Sequence, residues 1–178
     1  MPSTDRVRVK GRRTTGTFTA LPHAIFRASG DRPPPVAALG KAARALLVDL
    51  CQQLNGGNNG NLSAAPKVLE PYGWTSRGTL TDALVELVAL GFLTQTRQGG
   101  RNRCSLYAVA WRGIDAGPHD ARADPVPSNL WRPENAHLRD VAFVRRHEAR
   151  RTGHGANASR HSDKPCRHSD KSAMGDAP

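Results

Sequence analysis

Residues 73–111 read GWTSRGTLTDALVELVALGFLTQTRQGGRNRCSLYAVAW, and their pattern decides the fold. Leu80, Ala83, Leu84, Leu87 and Val88 recur at i, i+3, i+4, i+7 and i+8, the single apolar stripe of an amphipathic helix. Ser76 stands just before the stripe, where its hydroxyl can cap the free N–H groups of a helix start. Gly91 stands just after it, where a residue of positive φ ends a helix. Two short runs, 92–98 and 104–111, then read as strands around the Gly-Gly-Arg-Asn-Arg loop at 99–103, an ordinary length for a hairpin.

Upstream, the stretch 36–54 places Ala43, Leu46, Leu47, Leu50 and Leu54 on one wide helical face. It stops in the turn-rich Asn-Gly-Gly-Asn-Asn-Gly of 55–60. Residues 61–63 suit a short strand. Ser63 is also placed to cap a second helix, in which Pro66 falls in the first turn and Val68 and Leu69 face inward. That helix should end near Pro71, before the turn at 72–74. The expected order is helix, short strand, helix, turn, helix, strand, hairpin loop, strand. This is the order of a winged helix-turn-helix, an α+β and mainly α fold of three helices with a small antiparallel sheet and a β-hairpin wing. Each helix is marginal alone, but three apolar faces and one sheet face can bury a shared core. Trp74, Phe92, Tyr107 and Trp111 are expected to pack helices on the sheet rather than to stack on bases.

The flanks read differently. Residues 1–16 are basic and without period, a disordered arm in expectation. The winged domain is expected over 17–115, with Phe18, Leu21, Ile25 and Phe26 docking onto it ahead of three consecutive prolines at 33–35. Residues 116–151 are expected to be a Pro-, Asp- and Gly-rich linker with a basic helix over 133–151. The tail 152–178 carries two seven-residue copies, 159–165 and 166–172, that share Arg-His-Ser-Asp-Lys and have almost no apolar content, and disorder is the expectation there.

Charge points to the partner. The chain of 178 residues has 26 Lys and Arg against 15 Asp and Glu, a formal net charge of +11, which suits a polyanion. Arginines gather in 1–16 and again at Arg145, Arg146, Arg150 and Arg151; the alternative is that basic tails serve solubility alone. No apolar run approaches the roughly 18 residues of a membrane span, and the N-terminal arginines precede no apolar signal segment. The three cysteines, Cys51, Cys104 and Cys166, fit a reducing compartment, with Cys51 and Cys104 expected in the core. A cytoplasmic, nucleoid-associated protein is the expectation.

Several chemistries find no support. His154, His161, Cys166 and His168 cluster in the tail without the short ligand spacing of a zinc site. The 55–60 loop lacks the Gly-Lys-Ser/Thr of a phosphate-binding loop. No nucleophile–base or paired-carboxylate arrangement stands out, so no enzyme, no cofactor and no metal are expected.

Certain residues suit DNA instead. At the front of the 77–90 helix, Arg77 matches guanine O6 and N7 with its planar fork. Thr75, Ser76, Thr79 and Thr81 suit phosphates or local capping. In the hairpin, Arg97, Gln98, Arg101, Asn102 and Arg103 lie within seven residues, beside glycines that let a loop approach a phosphate. Lys67 is a further backbone contact. The plainer alternative is a solvated face for Arg77 and a simple turn for the hairpin.

The chain resembles bacterial winged helix-turn-helix DNA-binding proteins of proteobacteria and their plasmids, phages and integrated elements. The residues that carry the resemblance are Leu21-Pro22-His23, NNGNL at 58–62, GWTS at 73–76, Thr79-Leu80, Ala83, Leu84, Glu86 and Leu87, GFL at 91–93, TRQGG at 96–100, SLYA at 105–108 and Trp111. It spans about 17–115 and is similar in plan to the N-terminal domains of phage and plasmid replication proteins. What it implies is sequence-specific binding of double-stranded DNA, most simply by a transcriptional regulator. A replication-initiation or partition protein is the alternative, with a homodimer or a replication or transcription protein as partner. A winged-helix protein-interaction module with nonspecific nucleic-acid-binding arms is a third reading.

Overall fold

The apolar stripe read from residues 80–88 is the hub of the core. In the computed structural model, which describes residues 19–153, helix α3 spans Arg77–Ala89 and buries Leu80, Ala83, Leu84, Leu87 and Val88. Ser76 caps it: its Oγ accepts the Thr79 N–H at 3.3 Å. The helix ends in a Schellman pattern, with Phe92 N–H donating to Leu87 O at 2.9 Å and Gly91 N–H to Val88 O at 3.0 Å. Gly91 takes φ 77, and a Cβ there would also run into the Leu130 carbonyl.

Helix α1, Lys41–Cys51, packs on α3 through Ala43, Leu46, Leu47 and Leu50, the face expected from the sequence. It starts later than the sequence pattern suggests. Pro35–Ala38 forms a 3-10 turn, and the helix begins after Gly40, whose N–H donates to Glu86 Oε1 at 2.6 Å. A carboxylate from α3 thus satisfies the positive end of α1, a favourable placement. Helix α2 is a single turn, Pro66–Leu69, continued by a 3-10 turn over Glu70–Tyr72 that closes on Gly73 at φ 91. Ser63 is not its cap. Ala65 occupies that position, because Ser63 is held in the sheet and its backbone is bonded to the Gln53 side chain at 2.8 and 2.9 Å.

Strands β1 (Leu62–Ser63), β2 (Leu93–Arg97) and β3 (Leu106–Val109) form an antiparallel sheet in the order β1-β3-β2. Leu62 faces Tyr107, and Gln95 faces Tyr107 from the other side. Strands β2 and β3 are shorter than the sequence runs, and an irregularity between Gln95 and Arg97 shifts the register near the hairpin. The fold is α+β, mainly helical, with this one small sheet.

The second face of the sheet is covered as well, which corrects the reading of 116–151 as a linker. Asp120 and Ala121 donate their N–H groups to Thr96 O at 3.1 and 3.0 Å, and Ile114 pairs with Asp124. His119 lies between the carbonyls of Asp115 and Ala121. On β3, Leu106 and Ala108, outside the main core cluster, are buried too. The chain then returns to Ala110, whose carbonyl accepts Asn129 N–H at 2.7 Å, and buries Leu130 and Trp131. Polar composition suggested a linker, but these few large apolar anchors suffice to dock it. The helix expected over 133–151 divides in two. Pro133–Leu138 is a 3-10 turn, and α4 spans Val141–Gly153 behind Asp140, whose Oδ1 accepts Phe143 N–H at 2.8 Å. Phe143 is fully buried and meets Tyr107 edge to face at 6.3 Å. The arm 1–16, Phe18 and nearly all of the tail 152–178 lie outside the described residues.

One buried amide ties the loop 55–60 to this strap. Asn59 is 1% exposed. Its Nδ2 donates to the carbonyls of Val109, Arg112 and Gly113 at 3.1, 3.2 and 2.8 Å, and its Oδ1 accepts Val109 N–H at 2.8 Å. Its backbone N–H donates to Asp115 Oδ2, and its carbonyl accepts Asp115 N–H, both at 2.8 Å. Beside it, Thr96 Oγ1 donates to Gly60 O at 2.6 Å. Asn59→Ala leaves a buried Val109 N–H and several carbonyls unmet, so it should lower stability by about 2–4 kcal/mol in chemical denaturation. A loss below about 0.5 kcal/mol would show that the network is dispensable.

Of the two described cysteines only Cys51 is in the core; Cys104 is half-buried, against expectation, because it falls at the root of the hairpin. Burial pushes the Cys51 thiol up to about 12 from an ordinary 9.0, with the Arg112 charge opposing. The folded pKa lies above the unfolded one, so this contribution to stability is complete below pH 9 and lost as the pH rises toward 12. The denaturation midpoint should therefore fall between pH 8 and pH 10, and fall less in Cys51→Ala. An equal fall in both proteins would remove Cys51 as a cause.

Candidate nucleic-acid interface

The front of α3 is set by its cap. Because Ser76 turns the chain into the helix and the stripe from Leu80 onward faces the core, Thr75, Ser76, Arg77 and Thr79 are left exposed and Thr81 half-exposed. Free N–H groups of the first turn and the positive end of the helix dipole lie at this surface. Two of the hydroxyls are already engaged with one another, since Thr79 Oγ1 and Ser76 Oγ are 3.0 Å apart. Capping therefore accounts for Ser76 and Thr79. Arg77 remains the one long cation at this end of α3, and its side chain is exposed. Lys67 is exposed on α2.

The hairpin closes through a turn in which Gly100 and Arg103 exchange both backbone bonds, at 3.0 and 3.2 Å. Arg101 and Asn102 form its tip, and Asn102 takes φ 65, a left-handed conformation that Asn tolerates better than most residues. Gly99 has a closing role. A Cβ there would approach Ser105 N and Oγ at 2.7 Å, and the Gly99 N–H donates to Ser105 Oγ at 3.0 Å.

The three hairpin arginines are not equivalent. Arg97 is built into the fold, with Nε donating to Cys104 O at 3.1 Å, Nη1 to Pro118 O at 2.8 Å and Nη2 lying 3.5 Å from Cys104 Sγ. It joins the hairpin root to the strap, so its guanidinium is already satisfied. Arg103 pairs with Asp120 at 3.3 Å, both side chains more than half exposed, a pair that solvent weakens. Arg101 makes no hydrogen bond or ion pair with the described residues and stands at the tip beside exposed Asn102 and Gln98. Sequence spacing alone could not sort these roles, because Arg97 also bonds Pro118 and Arg103 pairs with Asp120, both in a segment distant in the chain.

Reading residue by residue also left the α4 arginines as a charge cluster without a place. Arg145 and Arg146 are exposed on α4, and Arg146 Nη2 donates to Gln95 Oε1 at 3.2 Å on β2. The histidines of the tail and Cys166 lie outside the described residues. Among those described, no group of His, Cys, Asp and Glu side chains could hold a metal ion, and no helix is long and apolar enough to cross a membrane.

These roles separate by mutation. Arg97→Ala should destabilise the fold by about 1–2 kcal/mol through its lost carbonyl partners, whereas Arg101→Ala should stay within about 0.5 kcal/mol, as exposed sites do. Thermal melting of the two variants checks this, and equal effects would contradict the division. No protein-family model matches the chain, and neither a curated protein nor a solved structure matches it.

Proposed function

We propose that residues 41–109 form a winged helix-turn-helix that binds double-stranded DNA in a sequence-specific manner, α3 entering the major groove and the β2–β3 hairpin lying on the backbone. The order helix, strand, helix, helix, strand, strand and the sheet order β1-β3-β2 agree with that plan. The observation that carries the reading is the front of α3, where the Ser76-capped start exposes Arg77 at the positive end of the helix while the apolar stripe from Leu80 onward is anchored in the core. A helix held by its hydrophobic stripe and presented by its N-terminal end is how such proteins place a side chain against base edges. The excess of 26 basic over 15 acidic residues supplies the long-range attraction to phosphate. Transcriptional regulation is the role this chemistry suits most directly, with promoter sites as its mark; sites arrayed at an origin would mark a replication or partition role instead.

Within this reading Arg77 reads bases and Arg101 with Arg103 anchors phosphates. Once a preferred site has been selected from a random duplex library, Arg77→Ala should weaken binding to it by roughly 1–3 kcal/mol and hardly affect random DNA. Arg101→Ala combined with Arg103→Ala should weaken both DNAs by similar factors and make the salt dependence shallower, because phosphates are alike in every sequence. If the selection yields no preferred site and neither variant changes affinity, sequence-specific DNA binding is refuted.

A further inference from the structure

Helix α4 is basic out of proportion to its length. Its thirteen residues, Val141–Gly153, carry Arg145, Arg146, Arg150 and Arg151 against the single acid Glu148. Such a run would ordinarily be a solvated, mobile arm, and here it is not. Phe143 is wholly buried against Tyr107 of β3, Asp140 caps the helix start, and Arg139 holds the preceding turn by donating to Leu130 O at 2.9 Å and Trp131 O at 3.4 Å. Leu130 in turn sits on Gly91, the last turn of α3. Helix α4 therefore leaves from the end of α3 and packs against α3 itself. Arg146 meanwhile reaches Gln95 on β2, the strand that leads into the hairpin. One rigidly docked helix thus touches both elements of the proposed DNA site, while Arg145 and Arg146 remain exposed beside them.

We propose that α4 is a third DNA-contacting element, its arginines engaging the phosphate backbone of the same duplex that α3 and the hairpin bind. The inference rests on the function proposed above. The occupant it names is duplex DNA, because the exposed guanidinium groups of Arg145 and Arg146, on a helix with four arginines and one carboxylate, suit phosphates and offer little to an apolar partner. Docking matters to the energetics. An arginine on a fixed helix loses less freedom on meeting a phosphate than one on a loose tail, so its contact should survive at moderate salt.

The test uses the full chain, a mixed-sequence duplex of about 30 base pairs as probe, and salt titrations of wild type, Arg145→Gln with Arg146→Gln, and Arg145→Lys with Arg146→Lys. Thermal melting of each variant confirms that the fold is intact. If both arginines meet phosphates, the Gln pair should lower affinity several-fold and make the log–log salt slope shallower by about 1.8, twice the increment of one phosphate. The Lys pair should keep most of the slope, because charge and not the Gln95 bond is at work. An unchanged slope in the Gln pair, with wild type and the Arg101 and Arg103 variants behaving as proposed, overturns the α4 contact alone. Tighter binding by the Gln pair also overturns it, since α4 would then be a cover over α3. Absence of binding by wild type overturns this inference together with the reading on which it rests.

Discussion

The buried amide of Asn59 is the constraint on which the rest of the molecule depends. Strand β3 must pair with two neighbours and then turn sharply at Trp111 toward the strap, which leaves the carbonyls of Val109, Arg112 and Gly113 pointing inward at one place. Buried polar groups without partners are costly. A single primary amide, offering two donor hydrogens and an acceptor, meets this cluster while its own backbone locks Asp115. Neither Asp nor Leu, of similar size, could serve, since one lacks donors and the other lacks polar atoms altogether. The end of the loop, Asn59 and Gly60, is consequently buried, while Asn55, Gly56 and Gly57 stay at the surface.

From that anchor the strap follows. Its backbone is pinned at Thr96 and Ile114, and its far end is pinned at Ala110. The route then leads past Leu130 on Gly91 to Phe143 against Tyr107. Each station is modest alone. Together they give α3 a neighbour on a second side, so the helix that presents Arg77 is braced by α1, by the sheet and by α4. Bracing of this kind favours a fixed angle of presentation, as the base contact proposed for Arg77 would require. Besides the front turn, Thr75 to Thr79, Asp82 one turn further on is also exposed.

The hairpin shows how tertiary context divides residues that look alike. Arg97, Arg101 and Arg103 are equivalent by composition, yet one completes the strap, one shares its charge with Asp120, and one is left at the tip. A positive charge that is already bonded to carbonyls has less to offer a phosphate than one facing water, because its present partners would first have to be given up. The electrostatic weight of the hairpin therefore falls on Arg101 and, through an exchangeable surface pair, on Arg103.

What the sequence by itself determined are the features whose cause is local. The stripe of α3, its Ser76 cap, its Gly91 terminator, the face of α1 and the hairpin were legible because a 3.6-residue period, a capping hydroxyl and a positive-φ glycine act within a few residues of themselves. Ser63 misled for the same reason, since the local cap it offered lost to a sheet register and to Gln53, which only the folded chain brings near. The tertiary structure alone decided that 116–140 is a strap, that Asn59 is a core residue, that Cys104 lies outside the core and that α4 begins at Val141. For the strap and for Asn59 the deciding partner lies far away in the chain, as Asn59 does from Gly113 and Thr96 from Asp120. Polar composition predicts solvent exposure only while no distant group supplies the missing hydrogen bonds, and here the Val109 carbonyl and the Thr96 carbonyl supply them.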